Sequence, residues 1–405
     1  MKRFWLCLLT ALCLILLTSC SGARMMMQTA PSTAKGASAQ PPIATATLEQ
    51  WTAQKFNIRQ TLEHEVYGVM PADFTTTVTD RRPLTNHDYS ADIEELTLTA
   101  STATQSGAAP ISYRAVLLTP KAAQAPVPII MMENFCPNHN VIPNAGVSQP
   151  PNIVFSCDEK GLNSKLIRFV FGRYITSPPI EDILTAGYGL GVIYPSSVYP
   201  DNANWFQAPR QAAPDPQHPW GAVAAWAYQF SSFSHALGAL GHETTIAYGH
   251  SRYGKSALLA AAYDESIDAV IAHQSGTGGA SLSRQKKGET VLEITQSYPH
   301  WFTPPYSEEN LTYDQHHLLA LIAPRPLLLG NAKRDVWSDP EGAFRAARGA
   351  TPIYQLYGQN GLEQETLTSF NPNADIAFWM RKGTHGVVKE DWPAFIEFLN
   401  AHFAP

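Results

Sequence analysis

The residues with the clearest chemical potential lie in TTIAYGHSRYGKSALLAAAYD, where a β-branched run passes through Gly249-His250-Ser251-Arg252-Tyr253-Gly254-Lys255-Ser256 into an Ala/Leu-rich helix. Ser251 sits where a sharp strand-to-helix turn would project its hydroxyl at the helix N-terminus, the arrangement of a nucleophile elbow. Gly249, two residues before it, and Gly254, three after, relieve crowding in such a turn, although Tyr253 stands where the usual GxSxG spacing has its second glycine. A serine nucleophile needs a base, and the base needs an acid to orient it; in this kind of fold the chain order is Ser, acid, His. Asp335 follows the apolar run RPLLLGN in AKRDVWSDPEG, and His385 lies between Thr384 and Gly386 after IAFWMRKG. Asp339, directly before Pro340 and a helical stretch, fits an N-cap better than the acid of a triad.

The same segment also satisfies GxxxxGK[ST], with Gly249, Gly254, Lys255 and Ser256 at the positions of a phosphate-binding loop. Such a protein needs a metal-holding Asp after a later strand, and the next apolar run ends in His273-Gln274. Ser251, Arg252 and Tyr253 also stand where small residues would let backbone amides cradle phosphate. The nucleophile reading is therefore preferred. No HExxH or comparable metal signature occurs, so no metal or other cofactor is expected, and His250, His273, His316 and His317 are read as packing residues.

These side chains need a scaffold. Short apolar runs at 127–134, 189–195, 244–250, 268–274, 325–331 and 351–358 read as buried strands, and IEDILTAGY, WGAVAAWAYQFSSFSHALGAL, YGKSALLAAAYD and PEGAFRAARGA carry helical spacing. The alternation predicts an α/β fold with a mostly parallel sheet and helices on both faces. In open α/β sheets, chemistry sits at the carboxyl ends of the strands. The C-terminal DWPAFIEFLNAHF reads as a helix packing back on that sheet. No repeat or second low-complexity linker interrupts residues 47–405, which read as a single domain.

Residues 1–19 have Lys2 and Arg3 ahead of an apolar run from Phe4 to Leu17, the pattern of a secretory signal. Leu17-Thr18-Ser19-Cys20 is similar to a bacterial lipobox, so Cys20 is expected to carry the lipid of an exported, membrane-anchored lipoprotein, with Ser- and Pro-rich residues 20–46 as its tether. Cys136 and Cys157 would then remain in an oxidising compartment, which permits one disulfide, with two unpaired buried thiols as the alternative. The formal charge of −6, or −8 without Lys2 and Arg3, excludes a polyanion binder driven by net charge, and nucleic acid is not an expected partner. Hydrophobic residues at 44% and charged residues at 15% suffice for a large core.

At GHSRYGKSAL the sequence resembles the glucuronoyl esterases, carbohydrate esterase family 15, whose elbow reads Gly-x-Ser-Arg-x-Gly-Lys. The likeness extends to EVYGVMP (65–71), ENF (133–135), WGAVAAWAYQF (220–230), HQSGTGGASLSR (273–284), PHWF (299–302), YDQHHLLALIAPRP (313–326), DVWSDPEGAF (335–344) and KGTHGV (382–387). It implies an α/β-hydrolase in which Ser251 is nucleophile, His385 general base, Arg252 an oxyanion-stabilising group, and Lys255 and Trp337 contacts to the glucuronate. Many members carry a Glu where Gln274 stands here; the acid then falls to Asp335, as in some bacterial members, and Gln274→Ala is expected to be mild. Glu289 falls near a sugar-binding Gln of fungal members, while nothing acidic matches their sugar-binding Glu. The expected partner is thus an ester of (4-O-methyl) glucuronic acid, as between lignin alcohols and xylan, with the membrane met only through the lipid. The rival expectations are another carbohydrate or carboxylate ester on the same fold, a phosphate-loop nucleotide binder and a non-catalytic carbohydrate binder.

Overall fold

The computed structural model describes residues 43–102, 110–123, 126–155, 157, 162–304 and 306–403; the expected signal sequence, Cys20 and residues 20–42 of the expected tether lie outside them. Ile43 is already buried in the core, so the folded body includes residues ahead of the expected boundary at 47.

Among the described residues, nine strands form one sheet: β1 (Phe74–Leu84), β2 (Ala91–Thr102), β3 (Ile111–Pro120), β4 (Ile129–Glu133), β5 (Gly189–Ile193), β6 (Thr245–His250), β7 (Ala269–His273), β8 (Leu327–Ala332) and β9 (Ile376–Arg381), in the order β1-β2-β3-β5-β4-β6-β7-β8-β9. From β5 onward in that order every pairing is parallel, while β1, β2, β3 and β5 pair antiparallel. β4, β5, β7 and β8 are buried along their whole length, as strands covered on both faces must be. β2 instead mixes buried and partly exposed positions, with Ile93 packed on one side of the sheet and Leu96 and Leu98 on the other, and its charged and threonine residues break the apolar run, which is why a search for continuous apolar runs misses it.

The helices that matter to the site are α1 (Leu48–Leu62), α2 (Leu162–Phe171), α3 (Ile180–Thr185), α4 (Ala222–Ala239), α5 (Arg252–Tyr263), α6 (Pro340–Leu356) and α7 (Asp391–Phe403). α1, α4, α5 and α6 bury Trp51, Trp226, Phe230, Phe233, Leu258 and Phe344 on one face of the sheet. α3 and α7 bury Ile183, Trp392, Phe395, Phe398 and Leu399 on the other. Segment 351–358, expected as a strand, instead supplies the last turns of α6. Its β-branched and aromatic residues suggest a strand, yet Ile353 and Tyr354 continue the helical row of Ala343, Ala346, Ala347 and Ala350 into the core.

Cys136 and Cys157, both buried, form a disulfide that closes a 21-residue separation over the loops beyond β4. Chain-entropy reasoning gives such a loop about 3 kcal/mol of stabilisation. Replacing both cysteines with alanine is expected to lower unfolding stability by about that amount. Thermal melts of the double variant, together with a thiol count of the unreduced protein by mass spectrometry, check this; two free thiols would remove its basis.

Candidate active site

Ser251 lies between β6 and α5 at φ 58°, ψ −119°, a conformation that non-glycine residues adopt only when their surroundings enforce it. The Ser251 N–H donates to His273 O at 2.8 Å, and the Ser251 carbonyl accepts from Gly254 N–H, so the elbow is pinned between β7 and the first turn of α5. Gly249 is obligatory here, since a Cβ would lie 1.9 Å from Tyr253 O. Because α5 begins at Arg252, residues 252–256 are already helical and do not form the open loop that wraps a phosphate. Lys255, the would-be phosphate lysine, donates instead to Ser275 O (2.5 Å) and Thr277 O (2.6 Å). These contacts remove the phosphate-loop alternative.

Asp335 follows β8 and His385 follows β9, so neighbouring strands deliver both to the same rim. His385 Nδ1 is 2.8 Å from Asp335 Oδ2, and an acceptor there places the ring proton on Nδ1 and leaves the Nε2 lone pair free to accept a proton. Asp339 caps α6, its Oδ1 accepting from Gly342 N–H at 2.9 Å. The His385 ring also packs against His250 (4.7 Å between centroids) and stands edge-on to Phe171 of α2 (6.4 Å). Ser251, Arg252, Lys255, Gln274, Glu289, Asp335, Trp337 and His385 line one cleft of about 370 Å³. Most of the expected site residues, scattered over more than 130 positions, therefore share a single cavity.

The sequence reading missed what holds Arg252. Its guanidinium forms an ion pair with buried Asp201, which also accepts from His300 Nε2 (2.9 Å) and Trp301 Nε1 (2.8 Å). The guanidinium lies 4.9 Å from the Trp301 ring centroid, and Trp301 in turn stacks on Tyr298 at 3.8 Å. Burial alone would raise the Asp201 pKa, but Arg252 and the hydrogen bonds from His300 and Trp301 hold it down to about 2. A depressed carboxylate stabilises the fold above its unfolded pKa of about 3.9 and loses that contribution as pH falls towards 2. The Arg252 anchor thus persists through the mildly acidic range. Asp201 lies in no motif of the sequence, and its only signal is the need of the partly buried Arg252 for a counter-anion.

Asp201→Asn should keep an acceptor for Trp301 but leave Arg252 without its counter-charge. A stability loss of up to about 3 kcal/mol is expected, since Asp201 is buried while the Arg252 side chain stays partly exposed, with a fall in kcat as the guanidinium drifts. Denaturant unfolding and steady-state kinetics read the two effects separately, and an unchanged kcat would show that Arg252 needs no anchoring.

Lys255 is buried, and its two bonds to carbonyls leave one of three ammonium protons for the cleft. Burial lowers its pKa to about 7, with Glu289 opposing the shift. Glu289, buried across the cleft, is pushed up by burial and pulled down by Lys255 and Lys286. Its backbone N–H donates to Trp337 O at 2.9 Å, so Glu289 and Trp337 form one wall.

The other histidines lie where packing predicts: His273 is fully buried, His250 beside the elbow loses basicity to burial, and His316 and His317 occupy the helix Gln315–Ala320. Among the described residues, His64, Asp215 and His218 bring potential metal-ligand atoms within 4.8 Å of one another. The two imidazoles are stacked face to face at 3.8 Å, and His218 Nδ1 is engaged with Asp215. A metal in the plane of both rings would require both to tilt, so this geometry favours stacking over ligation.

A CE15 esterase described as promiscuous, from a marine bacterial metagenome, superposes on this chain with a TM-score of 0.74 at 26% identity, covering 92% of this chain and all of that one. Carbohydrate esterase MZ0003, from an unknown prokaryotic organism, is 34% identical over 309 residues, or 71% of this chain and 70% of its own length. The chain belongs to carbohydrate esterase family 15. A glucuronoyl esterase from Solibacter usitatus gives a TM-score of 0.70 at 29% identity over 92% of this chain and 97% of that one. The family model "Glucuronyl esterase, fungi" matches residues 215–358, a stretch that includes Ser251 and Asp335. The 4-O-methyl-glucuronoyl methylesterase of Hypocrea jecorina is 33% identical over 159 residues, only 35% of this chain and 34% of that one. As a CE15 member with the α/β-hydrolase fold, the protein is a carboxylic ester hydrolase.

Proposed function

We propose that the protein is a serine esterase that cleaves esters of (4-O-methyl) glucuronic acid through an acyl-enzyme. The observation that carries this reading is the His385–Asp335 pair in one cleft with an elbow serine, an anchored arginine and a buried lysine. Ser251 Oγ attacks the ester carbonyl while His385 Nε2 takes its proton. The developing oxyanion meets the Arg252 guanidinium and the Arg252 N–H, which as the first amide of α5 has no partner within the helix. The intermediate collapses by expelling the alcohol, protonated by His385. Water then enters with His385 again as base, releasing the uronic acid and regenerating Ser251.

In a uronate ester the scissile carbonyl is attached directly to the sugar ring, so recognition falls on the acyl side, where Lys255, Glu289 and Trp337 line the cleft. The intact serine, acid and base speak against a non-catalytic sugar binder. Lys255→Ala is expected to raise KM at least several-fold with a smaller effect on kcat, because a sugar hydroxyl contact is present in ground and transition states alike. Kinetics on benzyl glucuronate beside acetyl and feruloyl esters test both the substrate and this split. A preference for acetyl or feruloyl esters would withdraw the uronate assignment while leaving the esterase. We further propose export with a lipid on Cys20; labelled fatty acid incorporated by the wild type and lost in Cys20→Ala is the corresponding measurement.

A further inference from the structure

We propose, building on the esterase reading above, that Gln274 is a positioning residue for His385, gripping the backbone on both sides of the catalytic imidazole. Gln274 follows β7 at φ 52°, fully buried, and its own N–H donates to Gly330 O of β8 at 2.7 Å. Its side-chain Oε1 accepts from Gly386 N–H at 2.8 Å, and its Nε2 donates to Thr384 O at 3.3 Å. One amide thus satisfies the donor immediately after His385 and the acceptor immediately before it. The Oε1 atom also faces His250 Nε2 at 3.1 Å, and the His250 ring lies against His385.

The far side of the same loop is fixed as well. Arg381 Nη2 donates to Gly386 O at 2.6 Å, and Gly386 itself, at φ 147°, has no room for a side chain because Phe171 O would lie 2.1 Å from a Cβ. Asp335 holds only the Nδ1 end of the imidazole; where Nε2 points relative to Ser251 depends on the backbone from which the ring hangs. A neutral amide suits this clamp because it both donates and accepts. A carboxylate of the same shape would accept from Gly386 N–H but set a second oxygen against Thr384 O. The expectation that Gln274→Ala would be mild is therefore reversed.

The test uses Gln274→Met, which keeps the length and removes all three polar contacts, and Gln274→Asn, which tolerates φ > 0 but is too short to span both peptide groups. Each is compared with wild type on benzyl glucuronate, on an activated acetate ester, and in the rate of Ser251 labelling by a fluorophosphonate. A misplacement of about 1 Å can cost about 10²-fold, so a 10- to 100-fold fall in kcat is expected, with KM within about twofold and a parallel fall in labelling rate. A folded variant with kcat within twofold of wild type overturns the proposal, as does a rise in KM at unchanged kcat. Two variants unfolded by circular dichroism would assign Gln274 a purely structural role and also overturn it. If wild type ignores the glucuronate ester yet labels at Ser251, and the variants label slowly, the substrate reading falls and the clamp stands. Failure of wild type to label at all would remove both.

Discussion

Ser251→Ala and His385→Ala are each expected to lose nearly all ester turnover, on the order of 10⁶-fold in kcat by comparison with other serine triads, while folding normally. The two losses should not add, because nucleophile and base act as one unit: without the serine there is no acyl-enzyme, and without the imidazole the hydroxyl remains protonated. Neither change opens the core, since both side chains face the cleft. Single-turnover kinetics of both singles and the double variant, with circular dichroism as the fold control, decide the matter. A single variant that retains a tenth of the activity would sink the assignment of Ser251 and His385.

Asp335→Asn should cost about 10⁴-fold in kcat. The amide can present its NH2 to His385 Nδ1, which places the proton on Nε2 and removes the base. The carboxylate is buried and 2.8 Å from the ring, so water cannot substitute easily. Asp339→Asn provides the contrast. That residue holds the first turn of α6 and touches Gly342 rather than His385, and asparagine remains a good N-cap, so kcat should be close to wild type. If Asp339→Asn were the damaging change, the orienting role would have to move to it.

Strands β4 to β8 were legible because they are buried on both faces and read as continuous apolar runs between turn residues. β1 and β2 escaped that search because threonines and charged residues interrupt their apolar positions, and β3 did because its buried stretch is only Ala115–Leu118, packed on both sides of the sheet. Segment 351–358 was misread because a short stretch of Ile and Tyr has the same composition in a buried strand as at the end of a buried helix; only the extension of α6 from Pro340 separates the two.

The sequence by itself marked Ser251 as an elbow serine, since Gly249 and Gly254 bracket it at a strand-to-helix junction, and it offered Asp335 and His385 in the chain order that the proposed chemistry needs. Local spacing carries that information because the elbow is a local structure. Tertiary structure alone decided which carboxylate faces His385, that Asp201 anchors Arg252 from 51 residues away, and that Gln274 reaches across to the loop 384–386. The His385 and Gln274 choices depend on β6, β7, β8 and β9 lying side by side, so that residues far apart in the chain come within hydrogen-bond reach at the carboxyl ends of adjacent strands about 4.8 Å apart, while Asp201, which follows β5, reaches Arg252 from two strands away across β4.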